Sequence, residues 1–454
     1  MSLSTTHPAS YRDPSGFVFI RDGQVFRQVN QSYAADYDKL LSSGLYRELV
    51  EKKWLVEHHE LTGAICEEGT YKILKPRQIS SVNYPYEWCF SQLRDAALMT
   101  LHIQELSMKY GMSLKDATPF NIIFDGSHPV FLDTLSFEIY HPDKPWIAYR
   151  QFCETFLAPL ILAAYRHPDL SRMLLLYPDG IPLSICASLL PFKSMFNSLA
   201  LLHIFFQAGF KSSQNDKKNI VFSEKKLSRI ISHLTGGIES LQLRNKVSTW
   251  SDYYSKSILQ DNYLKEKETL FREMLLAIDF HSVADLGSNT GEFALILEEK
   301  GKYVIALDID LLCIERLYLH NRNARRNMTT LVSDLMYPVP AIGWNNAERM
   351  SLMHRLRVDL VIALALVHHL CIGRNLPFDK LAETLSECGK FILIEFVPKS
   401  DEKVQLLLAR REDIFPNYDQ AHFITAFKIY FDIITSNNIA ATGRTLFLMK
   451  KKTP

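Results

Sequence analysis

The stretch Val283–Asp310, VADLGSNTGEFALILEEKGKYVIALDID, constrains the fold more than any other part of this 454-residue chain. It reads as strand, glycine turn, helix, strand, with a carboxylate at the end of each strand. After residue 280 the same alternation continues through TTLVS (Thr329–Ser333), VDLVIALAL (Val358–Leu366) and KFILIEF (Lys390–Phe396). Alternating strands and helices predict an α/β domain with a parallel sheet covered on both faces. Continuous Val, Ile and Leu without strict polar alternation is the pattern of strands buried on both sides. The end of the chain differs. FDIITSNN and RTLFLMKK lie close together with no helix-length segment between them, so the last pair of strands is expected to be antiparallel.

The glycine turn carries the chemistry. In DLGSNTG, Gly287 and Gly291 are spaced for a tight strand-to-helix turn and a close helix packing contact, as in dinucleotide-binding turns. Asp285, however, would repel a pyrophosphate and attract a ligand carrying an ammonium group. The paired G-x-G that brings backbone close to two phosphates is missing, and no phosphate-loop motif occurs anywhere. Asp308 ends the next strand, where a carboxylate can accept from both hydroxyls of a ribose. Asp334 follows the third strand, where an adenine amino group could be met. A ligand with an amino acid end, a free ribose, an adenine and no phosphate is S-adenosyl-L-methionine. The expected cofactor-binding set is Asp285, Gly287, Ser288, Asn289, Gly291, Asp308, Asp334 and Ala363.

VADLGSNTGEF, VIALDID, SDL and VDLVIALALVHHL together resemble the successive motifs of class I S-adenosylmethionine-dependent methyltransferases, over roughly Trp250–Lys452. The resemblance implies a Rossmann-like sheet, mostly parallel with an antiparallel last strand, and no metal in this domain. ALALVHHL sits at the C-terminal end of the fourth strand, the edge where open α/β sheets bind ligands. His368 and His369 are candidate general bases there, since imidazole titrates near neutrality; either could instead cap or pack against the cofactor. The chain lacks the N-P-P-Y or D-P-P-Y signature of some nitrogen methyltransferases, which favours oxygen as acceptor. WSDYYSKSILQDNYLKEK (Trp250–Lys267) resembles the lead-in that closes over the cofactor. Tyr254, Tyr263 and Lys267 could line the substrate mouth or meet the cofactor carboxylate, and an amphipathic cover helix explains them equally well.

The front half reads as α+β. GFVFIRDGQVFRQV (Gly16–Val29) is a hairpin pattern, and Trp88–Gly111 has apolar and small residues at helical spacing. FLAPLILAAY (Phe156–Tyr165) is too short to span a bilayer and reads as a buried helix. After the long helix come Asp116, Asn121 and Asp133, in the order that protein-kinase-like phosphotransferases use for an acceptor-side Asp, a metal-binding Asn and a metal-binding Asp. That resemblance implies a nucleotide and metal site for ATP and Mg²⁺. The glycine loop is absent, and Arg27 stands where the phosphate-pairing lysine is expected. The other reading makes the trio turn and cap formers.

KSSQNDKKN (Lys211–Asn219) has no apolar side chain and reads as linker. The expected organisation is residues 1–211 as an N-terminal domain, 212–249 as linker and helical connector, and 250–454 as the methyltransferase domain. A net charge of +1 excludes a global field for nucleic acid or anionic membrane, and the local patch NRNARRNM (Asn321–Met328) reads first as a solvated helix end. Seven scattered cysteines without C-x-x-C spacing indicate neither zinc nor a redox dithiol and suit a cytoplasmic protein.

YRDPSGFVF, YPYEWCFSQLRDAAL, LKDATPFN, FLDTLSFE, DLGSNTGEF and ALALVHHL make the whole chain similar to two-part proteins related to nodulation host-specificity methyltransferases. That resemblance implies methylation of a small molecule or glycan-type metabolite, with the N-terminal domain in substrate recognition or regulation. Two alternatives stand beside it: a bifunctional enzyme that also transfers phosphoryl groups, and a non-catalytic cofactor-binding scaffold.

Overall fold

The structure is a computed structural model that describes residues 5–62, 69–209, 223–244, 261–409, 411–440 and 442–453. The Lys211–Asn219 segment and Tyr254 lie outside the described residues. The chain divides into two compact units, Met1–Lys246 with Ala341–Arg349, and Val247–Pro340 with Met350–Pro454. The short excursion Ala341–Arg349 therefore belongs with the first unit, although the sequence reading placed it in the methyltransferase domain. Its Glu348 carboxylate accepts the Tyr11 hydroxyl at 2.6 Å and the Arg12 guanidinium at 2.7 Å.

The first unit is α+β. Its strands β1 (Thr5–Thr6), β2 (Gly16–Arg21), β3 (Gln24–Asn30), β4 (His58–Glu60) and β5 (Thr70–Pro76) form an antiparallel sheet in the order β1–β2–β3–β5–β4. The β2–β3 hairpin turns on Asp22 and Gly23, both at positive φ (50° and 72°), the Asp-Gly signature of a tight hairpin whose twist matches its strands. The expected long helix runs Phe90–Lys109 and buries Leu93, Ala97, Leu101 and Met108 on one side. Behind it come β6 (Met112–Leu114), β7 (Ile122–Asp125), β8 (His128–Phe131) and β9 (Phe137–Ile139), paired as β6–β9 and β7–β8. The apolar run after residue 156 forms the buried helix Ala158–Tyr165.

The second unit is one seven-stranded sheet. β10 (Ser282–Leu286), β11 (Tyr303–Asp308), β12 (Met328–Val332), β13 (Val358–Ala363), β14 (Gly389–Phe396), β15 (Phe431–Asn438) and β16 (Thr445–Lys451) lie in the order β12–β11–β10–β13–β14–β16–β15. β10 to β14 are parallel, whereas β16 runs antiparallel between β14 and β15. Val283, Val304, Leu360, Leu393 and Leu448 from five of these strands are all fully buried in one core cluster. Strand order reverses at β10, with β11 on one side and β13 on the other. The crevice outside the carboxyl ends of these strands is therefore where a ligand is expected.

Candidate functional site

The turn after β10 is pinned to the neighbouring strand. The amides of Gly287 and Ser288 both donate to the Leu307 carbonyl, at 2.8 and 2.9 Å. Gly287, Asn289 and Gly291 take φ of 75°, 49° and 90°. A Cβ on Gly291 would stand 2.5 Å from Leu317 Cδ1, so its role is close packing beneath the next helix, as its spacing predicts. A Cβ on Gly287 would meet Leu366 Cδ1 at 3.2 Å. Gly287 also lines a cavity of about 300 Å³ at the C-terminal edge of the sheet.

The same cavity is walled by Asn289, Asp308, Asp334, Leu364, Ala365, Leu366, His369 and Arg374. Asp308 closes β11 and binds backbone on both sides. One oxygen accepts the Asn289 amide and the other the Asp310 amide, each at 2.8 Å. Burial raises its carboxyl above the ordinary value, opposed by those amides. A carboxylate has about four acceptor sites, so the group can shape the turn and still accept from a ligand. Asp334 accepts the Met336 amide at 2.8 Å and faces Arg374 at 3.5 Å.

Other expected residues lie behind this wall. Asp285 is 3% exposed and does not line the cavity. Burial, and then the charges of Glu292 and Asp308, push it up to about 7. Ser288 is buried with its Oγ lacking a partner among the described residues, and Ala363 is buried one residue short of the wall. The two histidines separate. His369 lines the cavity, held neutral by burial and by the charges of Arg444 and Lys403, which lower it to about 4. His368 is fully buried, with neither ring nitrogen bonded among the described residues, and burial holds it well below its ordinary value. The expectation of His368 as a base is therefore corrected, because adjacent helix positions point about 100° apart and its side chain is the one turned inward.

Of the readings open for Tyr263 and Lys267, the structure agrees with the amphipathic helix and not with a mouth: both are buried on the inner face of the helix Asp261–Met274. Lys267 Nζ donates to Glu395 Oε2 at 2.6 Å and Tyr263 Oη to Glu395 Oε1 at 2.9 Å. Arg444 adds a bond to Glu395 at 3.3 Å and grips Asp401 through two nitrogens at 2.7 and 3.1 Å. Glu395, Asp401 and Arg444 were missed by sequence reasoning. The available signal was the acid inside the apolar run KFILIEF, since a charge in a doubly covered strand must have a buried partner.

In the first unit Asp116, Asn121 and Asp133 are brought together around β6, β7 and the turn after β8, yet they are satisfied by the protein itself. Arg27 was expected to face phosphates; it pairs directly with Asp133. Asp116 accepts from Gln151 at 2.7 Å, and Asn121 donates to Ser136 at 3.1 Å. Among the described residues no group of three His, Cys, Asp or Glu side chains is placed to hold a metal ion.

The sheet order, with the antiparallel strand inserted before the edge, is the Rossmann-like class I methyltransferase fold that the motifs imply. No family model matches the chain. Nodulation protein NoeA of Rhizobium meliloti (strain 1021) is 29% identical over 458 residues, covering 97% of this chain and 95% of the relative. The expected full-length likeness to a nodulation protein is thus found. Among solved structures, magnesium protoporphyrin IX methyltransferase (ChlM) from Synechocystis PCC 6803 with bound SAH is 14% identical, over 45% of this chain and 92% of that one, with a TM-score of 0.33. The bifunctional kinase-methyltransferase WbdD is 17% identical, over 42% of this chain and 38% of that one, with a TM-score of 0.28. Among the described residues no helix is long and apolar enough to cross a membrane.

Proposed function

We propose that this chain is an S-adenosylmethionine-dependent methyltransferase acting on a small molecule or glycan-type metabolite, at oxygen, with its N-terminal unit in substrate recognition. One observation carries the reading: the cavity at the sheet's switch point is walled by Asp308, Asp334 and the Gly287 backbone. The donor set fits this cofactor. Carboxylates at the wall suit hydroxyls and an amino group and repel phosphates, and the bare Gly287 leaves room that a side chain would take from the cavity.

Asp308 would hold the ribose hydroxyls and Asp334 the adenine amino group, while Asp285 behind the turn supplies the negative field for an ammonium. The cofactor, when bound, supplies a sulfonium methyl group. What the chain must add is alignment of an acceptor, since positioning contributes most to such a transfer. His369, neutral on the wall, is available to take the proton of an approaching hydroxyl, although its depressed basicity makes it a modest base. The oxygen acceptor is supported by the absence of N-P-P-Y and D-P-P-Y signatures. The metabolite class is supported by the full-length likeness to a nodulation protein.

The test has two arms. Calorimetric titration with S-adenosylmethionine should give one site per chain; no heat and no thermal shift would remove the cofactor. Metabolite profiling of a deletion strain with a labelled methyl donor should then show one small hydroxylated compound losing its label. Loss of label from RNA or protein would refute the substrate class alone.

A further inference from the structure

We infer that Arg27 is a built-in cation occupying the place of a divalent metal ion in the N-terminal unit, so that Asp116, Asn121 and Asp133 form a metal-free site. The inference concerns the first unit and does not depend on the methyltransferase reading of the second.

A magnesium ion needs carboxylate oxygens free of other cations, arranged with room for its waters. Asp133 is paired with a cation at one oxygen and hydrogen-bonded at the other. Its Oδ1 takes the Arg27 guanidinium together with the Leu135 amide at 3.1 Å, and its Oδ2 takes the Ser136 hydroxyl at 2.5 Å. The Asn121 amide is directed to the same hydroxyl at 3.1 Å. Asp116 is held by Gln151, whose own oxygen accepts the Ala117 amide at 2.7 Å. Every side chain of the trio is thus committed to the protein.

The arrangement is also rigid. Arg27 sits in the middle of β3, registered with Val18 on β2 and Leu74 on β5. Asp133 caps the short helix Thr134–Ser136. The side chains of Arg27 and Asp133 are only 18% and 16% exposed, so water screens the pair little. Burial, and after it the charge of Asp133, raise the Asp116 carboxyl, so the two carboxylates are close enough to interact. The Arg27 guanidinium neutralises Asp133. Removing it leaves Asp133 without its counter-charge and still interacting with Asp116, and repulsion between neighbouring carboxylates is what a divalent ion relieves.

Full-length protein freed of metal with EDTA would be titrated with Mn²⁺, following free Mn²⁺ by electron paramagnetic resonance. Wild type and Asp133→Asn should give the same isotherm. Arg27→Gln should gain one site, at least about tenfold tighter than any in the wild type, and Arg27→Gln/Asp133→Asn should lose it. Arg27→Lys, which keeps a cation, should behave as wild type. A stoichiometric wild-type site that Asp133→Asn removes would overturn the inference. So would a folded Arg27→Gln variant, by circular dichroism, that gains no site. Should Arg27→Gln fail to fold, the comparison of wild type with Asp133→Asn still decides.

Discussion

Glu395 accepts the backbone amide of Ala365 through Oε2 at 2.9 Å, and so ties the charged cluster under the sheet to the cavity wall. Ala365 lies at φ 50°, a conformation that costs an L-residue roughly 1 kcal/mol and persists only where its surroundings enforce it. The same carboxylate holds Lys267, Tyr263 and Arg444, with the Lys267 and Arg444 side chains each 1% exposed. Glu395→Ala would strand the buried Lys267 cation, leave Arg444 with Asp401 alone, and free the Ala365 turn. The expected loss is roughly 3–5 kcal/mol of stability, read from urea unfolding. Ala365→Gly, which relieves the positive φ and keeps the amide, should stay within about 1 kcal/mol of wild type. Equal midpoints for Glu395→Ala and wild type would show that the cluster has no structural role.

Asp308→Ala should weaken S-adenosylmethionine binding by about ten- to a hundredfold, the loss of a charge-assisted contact worth roughly 1.5–3 kcal/mol. Part of that loss comes through the turn, because the Asn289 amide also loses its acceptor. Asp308→Asn separates the two: it retains a carbonyl for one amide and should lose less than Asp308→Ala. Isothermal titration of the three proteins checks both, and equal affinities would remove Asp308 from the site.

Gly287→Val should abolish cofactor binding while leaving the first unit folded. A β-branched residue is strained at φ 75°, and its Cβ would begin 3.2 Å from Leu366, with the remaining atoms directed into the cavity lining. The expected readout is no binding heat, with far-ultraviolet dichroism close to wild type. Normal binding by this variant would make the turn purely structural.

How far the sequence carried depended on where residues meet. Strands Ser282–Leu286 and Tyr303–Asp308 coincide with their sequence expectations, because apolar runs bounded by Gly and Asp have unambiguous ends. β13 stops at Ala363, whereas the apolar run suggested Leu366; the left-handed turn at Ala365 hides among apolar residues that look like strand. The local turn of Gly287, Asn289 and Asp308 was legible for the same reason that its partners lie within about one strand–helix–strand unit. The buried cluster was not. Tyr263 and Arg444 are 181 positions apart and meet only through the sheet order. Tyr263 and Lys267 share a helix face in sequence, but a lysine on that face reads as solvent-facing until its carboxylate is known. In the first unit the D-N-D order was visible, while the pairing of Arg27 with Asp133 required the register of β3.

Asp285 ties cofactor affinity to pH, with a sign that can be worked out. Burial, with Glu292 and Asp308 beside it, pushes its carboxyl to about 7, above the ordinary value of about 3.9 that it regains on unfolding. Between those values the folded protein holds the proton and the unfolded chain does not. Stability without cofactor therefore falls as pH rises from about 4 to 7, and Asp285→Asn should flatten that part of the profile. Cofactor binding should run the other way. A ligand with an ammonium and a sulfonium prefers the ionised carboxylate, so affinity should rise roughly tenfold between about pH 5.5 and 7, below the range where a free α-amino group titrates. Asp285→Asn should bind more weakly at pH 7 and lose the rise. Urea midpoints and titration calorimetry across this range measure both slopes. A wild-type affinity that does not change with pH would mean that Asp285 does not feel the ligand's charge, and would leave it as a packing group behind the turn.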